Sequence, residues 1–395
     1  MSALDVNPAQ HPRPRQRSFS RVAVALGALA LVVLAAIGLV SWGVGRSSVT
    51  GSATVVTAPS TQSPPAGPGS VAAQVSPGLV DINTVLGYQG ARAAGTGIVL
   101  TSDGEVLTNN HVVEGATQIQ VTDIGNGQTY QATTVGYDRT HDIAVLRLQG
   151  ASGLTTTNTG DSTGVAVGDH ILGIGNAGGV GGTPSVANGT ITALDQSITA
   201  TDESGGNSET LTGLIQVEAD IQAGDSGGPL VNSTGQVIGV DTAASAGNQL
   251  DGQGGAARAS EQAAPTQGFA IPINDALAVA HQIDSGTASS TVHIGATAML
   301  GVSAIAAGPL GIDTGAGPIS GAVAEQVLPG GPAAQAGLGT GDVITAVDGQ
   351  PIDSATTLTT VLDHLHPGDT VTLTWLDRAL QQHAVAAVLA TGPVG

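Results

Sequence analysis

The longest apolar run in the chain covers residues 22–44, from Val22-Ala23-Val24-Ala25-Leu26 to Ser41-Trp42-Gly43-Val44. It carries no charge and one plainly polar side chain, Ser41. At 1.5 Å per residue a helix of this length reaches roughly 34 Å, enough for a bilayer core of about 30 Å. Arg13, Arg15, Arg17 and Arg21 precede it and only Arg46 follows closely. Residues 1–21 therefore read as a cytoplasmic Arg-rich tail, residues 22–44 as a single transmembrane helix, and the remainder as extracytoplasmic. A cleaved signal peptide is the competing reading. Its apolar region usually spans about 7–15 residues before an A-x-A-like site, whereas this run is longer and continues into Val44-Gly45-Arg46-Ser47-Ser48.

Residues 45–74 are rich in Ser, Thr, Pro, Gly and Ala without apolar periodicity, and read as a flexible tether. From 75 to 290 the pattern changes to short β-branched runs broken by Gly, Asn and Asp, including Gly97-Ile98-Val99-Leu100, Ile119-Gln120-Val121, Ile143-Ala144-Val145-Leu146, His170-Ile171-Leu172 and Val237-Ile238-Gly239-Val240. Many short strands predict an antiparallel barrel or sandwich. Asn274 to Ile283 predicts a short closing helix, 242–267 a long Gly/Ala/Gln-rich loop, and 295–392 a second, smaller strand-rich domain.

Composition removes several chemistries. All ten basic residues are arginine, so no lysine exists for a Schiff base, a Ser-Lys dyad or a Walker A loop. With no cysteine there is no thiol nucleophile, disulfide or Cys-ligated metal. The net charge of −20 leaves too few cations to neutralise phosphates, so nucleic acid is a poor partner.

The candidate chemistry centres on Gly224-Asp225-Ser226-Gly227-Gly228-Pro229-Leu230. Glycines around a serine admit a peptide backbone closely and let the main-chain N–H groups of Gly224 and Ser226 turn toward a developing oxyanion. Serine alone is a poor nucleophile and needs a base oriented by a carboxylate. Both residue types lie upstream, in Thr108-Asn109-Asn110-His111-Val112-Val113 and His141-Asp142-Ile143-Ala144-Val145-Leu146.

These strings, with Gly268-Phe269-Ala270-Ile271-Pro272 at the end of the domain, resemble the HtrA family of trypsin-like serine proteases in content and order. The resemblance implies a mainly β, two-barrel chymotrypsin-like domain, with Ser226 as nucleophile, His111 as general base and then acid, Asp142 as the carboxylate that orients the imidazole, and Gly224 and Ser226 as the oxyanion hole. It implies no metal or organic cofactor. His141 reads as an ordinary surface or packing histidine. Gly173-Ile174-Gly175-Asn176-Ala177-Gly178 matches a dinucleotide-binding fingerprint, but the Gly179 to Pro184 stretch after it cannot start the required helix.

Asp220 lies where trypsin carries the carboxylate of its specificity pocket, while HtrA proteins usually have a small residue there. A buried Asp220 favours cleavage after Arg or Lys; the family otherwise prefers small aliphatic residues. No Ile-Val-Gly-Gly-like terminus exists to pair with Asp225, so activity is expected to follow ordering of residues 175–189, 222–226 and 242–267.

In the C-terminal segment, Met299-Leu300-Gly301-Val302 resembles the carboxylate-binding loop of a PDZ domain. Gly330 to Leu338 and Gly341 to Ile352 then match PDZ modules of this family. Leu300, Gly301 and Val302 are the candidate ligands for a peptide C-terminus, which would add as a strand beside Val302-Ser303-Ala304, and Asp353 to His364 predicts a helix. The whole reads as a membrane-anchored, extracytoplasmic serine endopeptidase acting on misfolded or regulatory envelope proteins, with a homotrimer as the assembly the resemblance suggests. The alternative is a chaperone-like or scaffold peptide-binding protein in which hydrolysis is secondary.

Overall fold

The computed structural model describes residues 67–201, 208–245, 267–306 and 320–395. The expectations for residues 1–21 and 22–44, most of the tether and the loop core at 246–266 fall outside the described residues. Among the described residues no helix is long and apolar enough to cross a membrane.

The first described element departs from the expected tether. Pro68–Val75 forms a helix, α1. Proline at the first helical position fixes φ at no hydrogen-bonding cost, and Val71, Ala72 and Val75 fall on one face that is buried in the core between the strands. The Ser/Pro/Gly composition concealed this apolar stripe, and the folded region starts at Pro68 rather than residue 75.

Six strands follow: β1 (Leu79–Leu86), β2 (Ala91–Val99), β3 (Glu105–Thr108), β4 (Gln118–Asp123), β5 (Thr129–Asp138) and β6 (Ile143–Leu148). Their antiparallel order β5-β4-β1-β2-β3-β6 is closed by β5–β6 pairing into a first barrel. A short helix, α2 (Asn110–Val113), carries His111 out of β3. The second barrel comprises β7 (His170–Gly175), β8 (Ser185–Thr201), β9 (Ser208–Glu218), β10 (Pro229–Asn232), β11 (Val237–Ser245) and β12 (Gln267–Pro272), closed in the order β10-β11-β12-β9-β8-β7. Closure leaves neither barrel with an open sheet edge. Val80, Val99, Val106 and Val121 cluster within the first barrel and Ile171, Ile191, Val217 and Leu230 within the second, while Ile98, Leu107, Ile174 and Val240 join a core that both barrels share with α1 and α3. The predicted closing helix is α3 (Ile273–Asp284), buried through Ile273, Ala276, Ala280 and Ile283.

Between the two expected domains, 75–290 and 295–392, the chain forms β13 (Val292–Ile294), which adds to the first barrel beside β5. The C-terminal domain holds β14 (Ala298–Met299), β15 (Val302–Ala306), β16 (Ala322–Val327), α4 (Pro332–Ala336), β17 (Val343–Val347), β18 (Gln350–Pro351), α5 (Ala355–Leu362), β19 (Thr370–Leu376), β20 (Gln382–Val388) and β21 (Ala390–Thr391). Its sheet runs β15-β16-β17-β19-β20, so β15 is an edge strand. The Ser354 side chain caps α5 by accepting from Thr357 N–H at 3.1 Å, and Leu358 anchors the helix in the domain core.

Candidate active site

Asp142 follows β5 in a tight turn and is almost wholly buried. Its φ of +51° is a left-handed conformation that side-chain-bearing residues avoid, and such strain persists only where the surroundings over-determine it. Four bonds do so. Its N–H donates to Arg139 O at 3.0 Å, and its carbonyl accepts from Asn109 Nδ2 at 2.9 Å. Oδ1 accepts from the His111 backbone N–H at 3.0 Å, and Oδ2 accepts a short bond from Thr242 Oγ1. Against this fixed carboxylate, His111 Nδ1 lies 3.0 Å from Oδ1 and 2.9 Å from Oδ2. The geometry assigns the Nδ1 proton to Asp142 and leaves Nε2 as the ring's basic nitrogen.

The Ser226 loop is held from both barrels. Thr96 N–H donates to Ser226 O at 2.8 Å and Thr96 Oγ1 to Gly224 O at 2.8 Å, while Gly227 N–H donates to Asp241 O at 2.8 Å. Gly224 has φ +97°, and a Cβ there would stand 2.2 Å from Asn176 O. The Ala223 carbonyl accepts from Gly178 N–H at 2.7 Å, which turns the Gly224 N–H of the same planar peptide the opposite way. Among the described residues the Gly224 and Ser226 amides have no acceptor within the protein, the condition for receiving a ligand oxygen. Ser226 Oγ donates to Thr242 O at 3.4 Å. Ser226, His111 and Gly224 line one cleft.

Asp220 requires a correction. It is exposed, and its Oδ2 accepts from Gln222 Nε2 at 3.0 Å. Strand β9 ends at Glu218, and the chain beyond it brings Asp220 to water, where a screened carboxylate lacks the burial that paired-charge specificity requires. The buried acids are its neighbours. Asp225 accepts from Gln222 N–H at 2.9 Å and Ser185 Oγ at 2.7 Å, thereby tying the nucleophile loop to β8; burial raises its pKa against those bonds. Asp241, on β11 beside Thr242, is fully buried, and neither carboxylate oxygen has a hydrogen-bond partner among the described residues. Burial, and then the nearby Asp225, push its pKa well up, which favours the neutral acid. Gly173 makes room for it: a Cβ there would lie 2.9 Å from Asp241 Oδ2.

Thr96, Asn109, Thr242 and Asp241 were missed as site residues. Asn109 stood within the His111 string, but the others meet the site only through pairing of distant strands. His141 lies in the turn before Asp142, its Nδ1 2.7 Å from Asp138 Oδ2.

Leu300 and Gly301 form the turn between β14 and β15. Gly301 has φ +75° and packs closely on Leu328, while the Leu300 and Gly301 carbonyls accept from Ala333 and Leu328 N–H at 2.9 and 2.8 Å. Among the described residues β15, from Val302 onward, pairs only with β16, leaving its other edge toward α5. Leu358 and Leu362 of α5 line the groove between them. This groove and the space beside Ser226 are one continuous cleft of about 1590 Å³.

Two closed six-stranded barrels with an Asp-His pair and a glycine-bound serine, followed by a grooved β domain, define a trypsin-like peptidase domain joined to a PDZ domain. The corresponding family models match residues 95–240 (trypsin-like peptidase domain) and 298–379 (PDZ domain). The chain is 37% identical over 331 residues to serine protease PepD of Mycobacterium tuberculosis, covering 81% of this chain and 65% of that one. It is 35% identical over 284 residues to periplasmic serine endoprotease DegP of Escherichia coli, covering 71% and 54%. The chain thus spans under two thirds of the length of these relatives. A solved HtrA-type protease, AlgW with a decapeptide, is 27% identical with a TM-score of 0.43, over 83% of this chain and 99% of that one. A trypsin-like peptidase domain followed by a PDZ domain, with these serine proteases as relatives, supports an HtrA-type protease.

Proposed function

We propose that the protein is an extracytoplasmic serine endopeptidase, anchored by residues 22–44, that cleaves misfolded or regulatory envelope proteins and recognises exposed apolar C-termini through its PDZ groove. The observation that carries the activity is the pinned carboxylate: Asp142 meets His111 Nδ1 through both oxygens while Ser226 opens on the same cleft. The Ser226 hydroxyl turns from Thr242 O toward His111 Nε2, gives up its proton there and attacks the substrate carbonyl carbon. The resulting oxyanion is received by the Gly224 and Ser226 N–H groups, and Asp142 stabilises the imidazolium. His111 returns the proton to the leaving amine, and water reverses the sequence on the acyl-enzyme.

The exposed Asp220 supports the family's preference for small aliphatic residues at the cleavage site over a basic one. PDZ capture would raise the effective concentration of a bound chain at Ser226, since groove and serine share one cleft. The breadth of that cleft also favours holding unfolded chains without cleavage as a second activity. A fluorophosphonate probe tests the reading. Labelling that disappears in Ser226→Ala establishes an assembled site, and acceleration by an apolar C-terminal peptide establishes coupling to the PDZ domain. Absence of labelling with and without peptide defeats the peptidase reading. Full suppression of aggregation by Ser226→Ala would support the holding activity.

A further inference from the structure

The strained turn that carries Asp142 is fastened to the other domain. Arg139 accepts the Asp142 N–H, and its side chain is only 20% exposed. The guanidinium forms a short ion pair with Asp363, the residue that ends α5 of the PDZ domain. It also lies 3.8 Å from Glu114, directly after the helix bearing His111, and 5.5 Å from the centre of the Tyr137 ring. Asp363 gathers two further groups from outside its own domain: its Oδ1 accepts from Tyr137 OH at 3.1 Å, and its carbonyl lies 2.6 Å from His293 Nδ1.

We propose that Asp363 is a positioning residue for Asp142, acting through Arg139, so that a residue of the PDZ domain completes the active site; this rests on the peptidase reading. Arg139 touches both pieces that present the Asp-His pair: it opens the turn to Asp142 and reaches the end of α2. A largely buried cation stays in place only while a close anion balances it. Without the Asp363 carboxylate, Glu114 meets the charge across a longer gap, and Arg139 swings toward water. The turn then loses the outer support of its φ +51° residue, and the carboxylate drifts from His111.

Asp363→Ala, Asp363→Asn, Asp363→Glu, Arg139→Ala and the Arg139→Ala/Asp363→Ala double variant, in the full chain, test this by fluorophosphonate labelling, casein hydrolysis and amide hydrogen exchange at 139–142. Displacing one reacting group by about 1 Å can cost about 100-fold, so partial loosening is expected to slow labelling roughly tenfold in Asp363→Ala. The loss should fall on kcat with KM unchanged, exchange at 139–142 should rise, and Asp363→Glu should restore both. Asp363→Asn, nearly the same shape without the charge, gives the same direction if Asp363→Ala unfolds the PDZ domain. Adding Asp363→Ala to Arg139→Ala should cost nothing more. Unchanged exchange at 139–142 in folded Asp363→Ala or Asp363→Asn, or losses that multiply in the double variant, overturns the proposal. A wild-type chain that never labels defeats the peptidase reading alone, and exchange then decides the role of Asp363.

Discussion

Asp241→Asn should flatten the pH dependence of stability. The acid is fully buried, has no hydrogen-bond partner among the described residues, and lies near a second buried carboxyl, Asp225. Burial raises its pKa in the folded protein, whereas in the unfolded chain it ionises near its ordinary value of about 4. A pKa raised by folding means that the native state binds the extra proton. The contribution of this group is therefore greatest below pH about 4 and falls as pH rises, by up to about 1.4 kcal/mol per unit, until the native group itself ionises. Asparagine has nearly the same shape and pays a pH-independent cost for its buried amide. The difference between the two proteins should thus tilt by about 1.4 kcal/mol per unit from pH 4.5 upward. Urea unfolding followed by far-ultraviolet circular dichroism at half-unit steps from pH 4.5 to 8 measures this directly. Parallel curves would show that Asp241 is ionised in the native protein, and the argument from its burial would fail.

Glu105 behaves similarly: burial, and then the neighbouring Asp284, push its carboxyl up to about 7 against the opposing Arg147. Stability from this group is lost between pH about 4.5 and 7, so Glu105→Gln should raise the melting temperature at pH 8 and leave it little changed at pH 4, as calorimetry can check. Thr242→Val removes the hydroxyl that donates to Asp142 Oδ2 and should cut kcat about tenfold, or roughly 1.4 kcal/mol, while circular dichroism stays native; undiminished turnover would mean that the other three bonds suffice. Gly224→Ala places a Cβ 2.2 Å from Asn176 O at a φ of +97°, and fluorophosphonate labelling should disappear although the barrels still melt cooperatively.

The elements were legible where a local pattern had a structural reason. Runs such as Ile143 to Leu146 and Val237 to Val240 lie on strands that fill the two barrels, and Asn274 to Ile283 lies within α3. The strings around His111, Asp142 and Ser226 converge because each lies in a short connection next to a strand: His111 in α2 just after β3, Asp142 directly before β6, and Ser226 in the loop that leads into β10. Helix α1 was illegible because three small apolar side chains among Ser, Pro and Gly bear no amphipathic signature until a core covers them. Asp220 misled because its distance from Ser226 fixes sequence position but not whether the chain past β9 turns inward. Thr242, Asp241 and Asp363 gave no signal, since each acquires its role from a partner far away in sequence; Asp363 and Arg139 stand 224 residues apart.

Because β13 belongs to the first barrel, the swivel between the domains comprises only Gly295, Ala296 and Thr297 before β14 begins. Three residues pay out about 10 Å of chain at full extension. A PDZ domain that let go of Arg139 would still be held by Tyr137 and His293 at Asp363 and by the two backbone bonds between Val394 and the Gly115–Ala116 segment, so that only loss of all of these would leave it turning on that short hinge. Any change in the setting of the PDZ domain then becomes a matter of angle rather than of distance, because the tether is too short to carry its groove away from the first barrel.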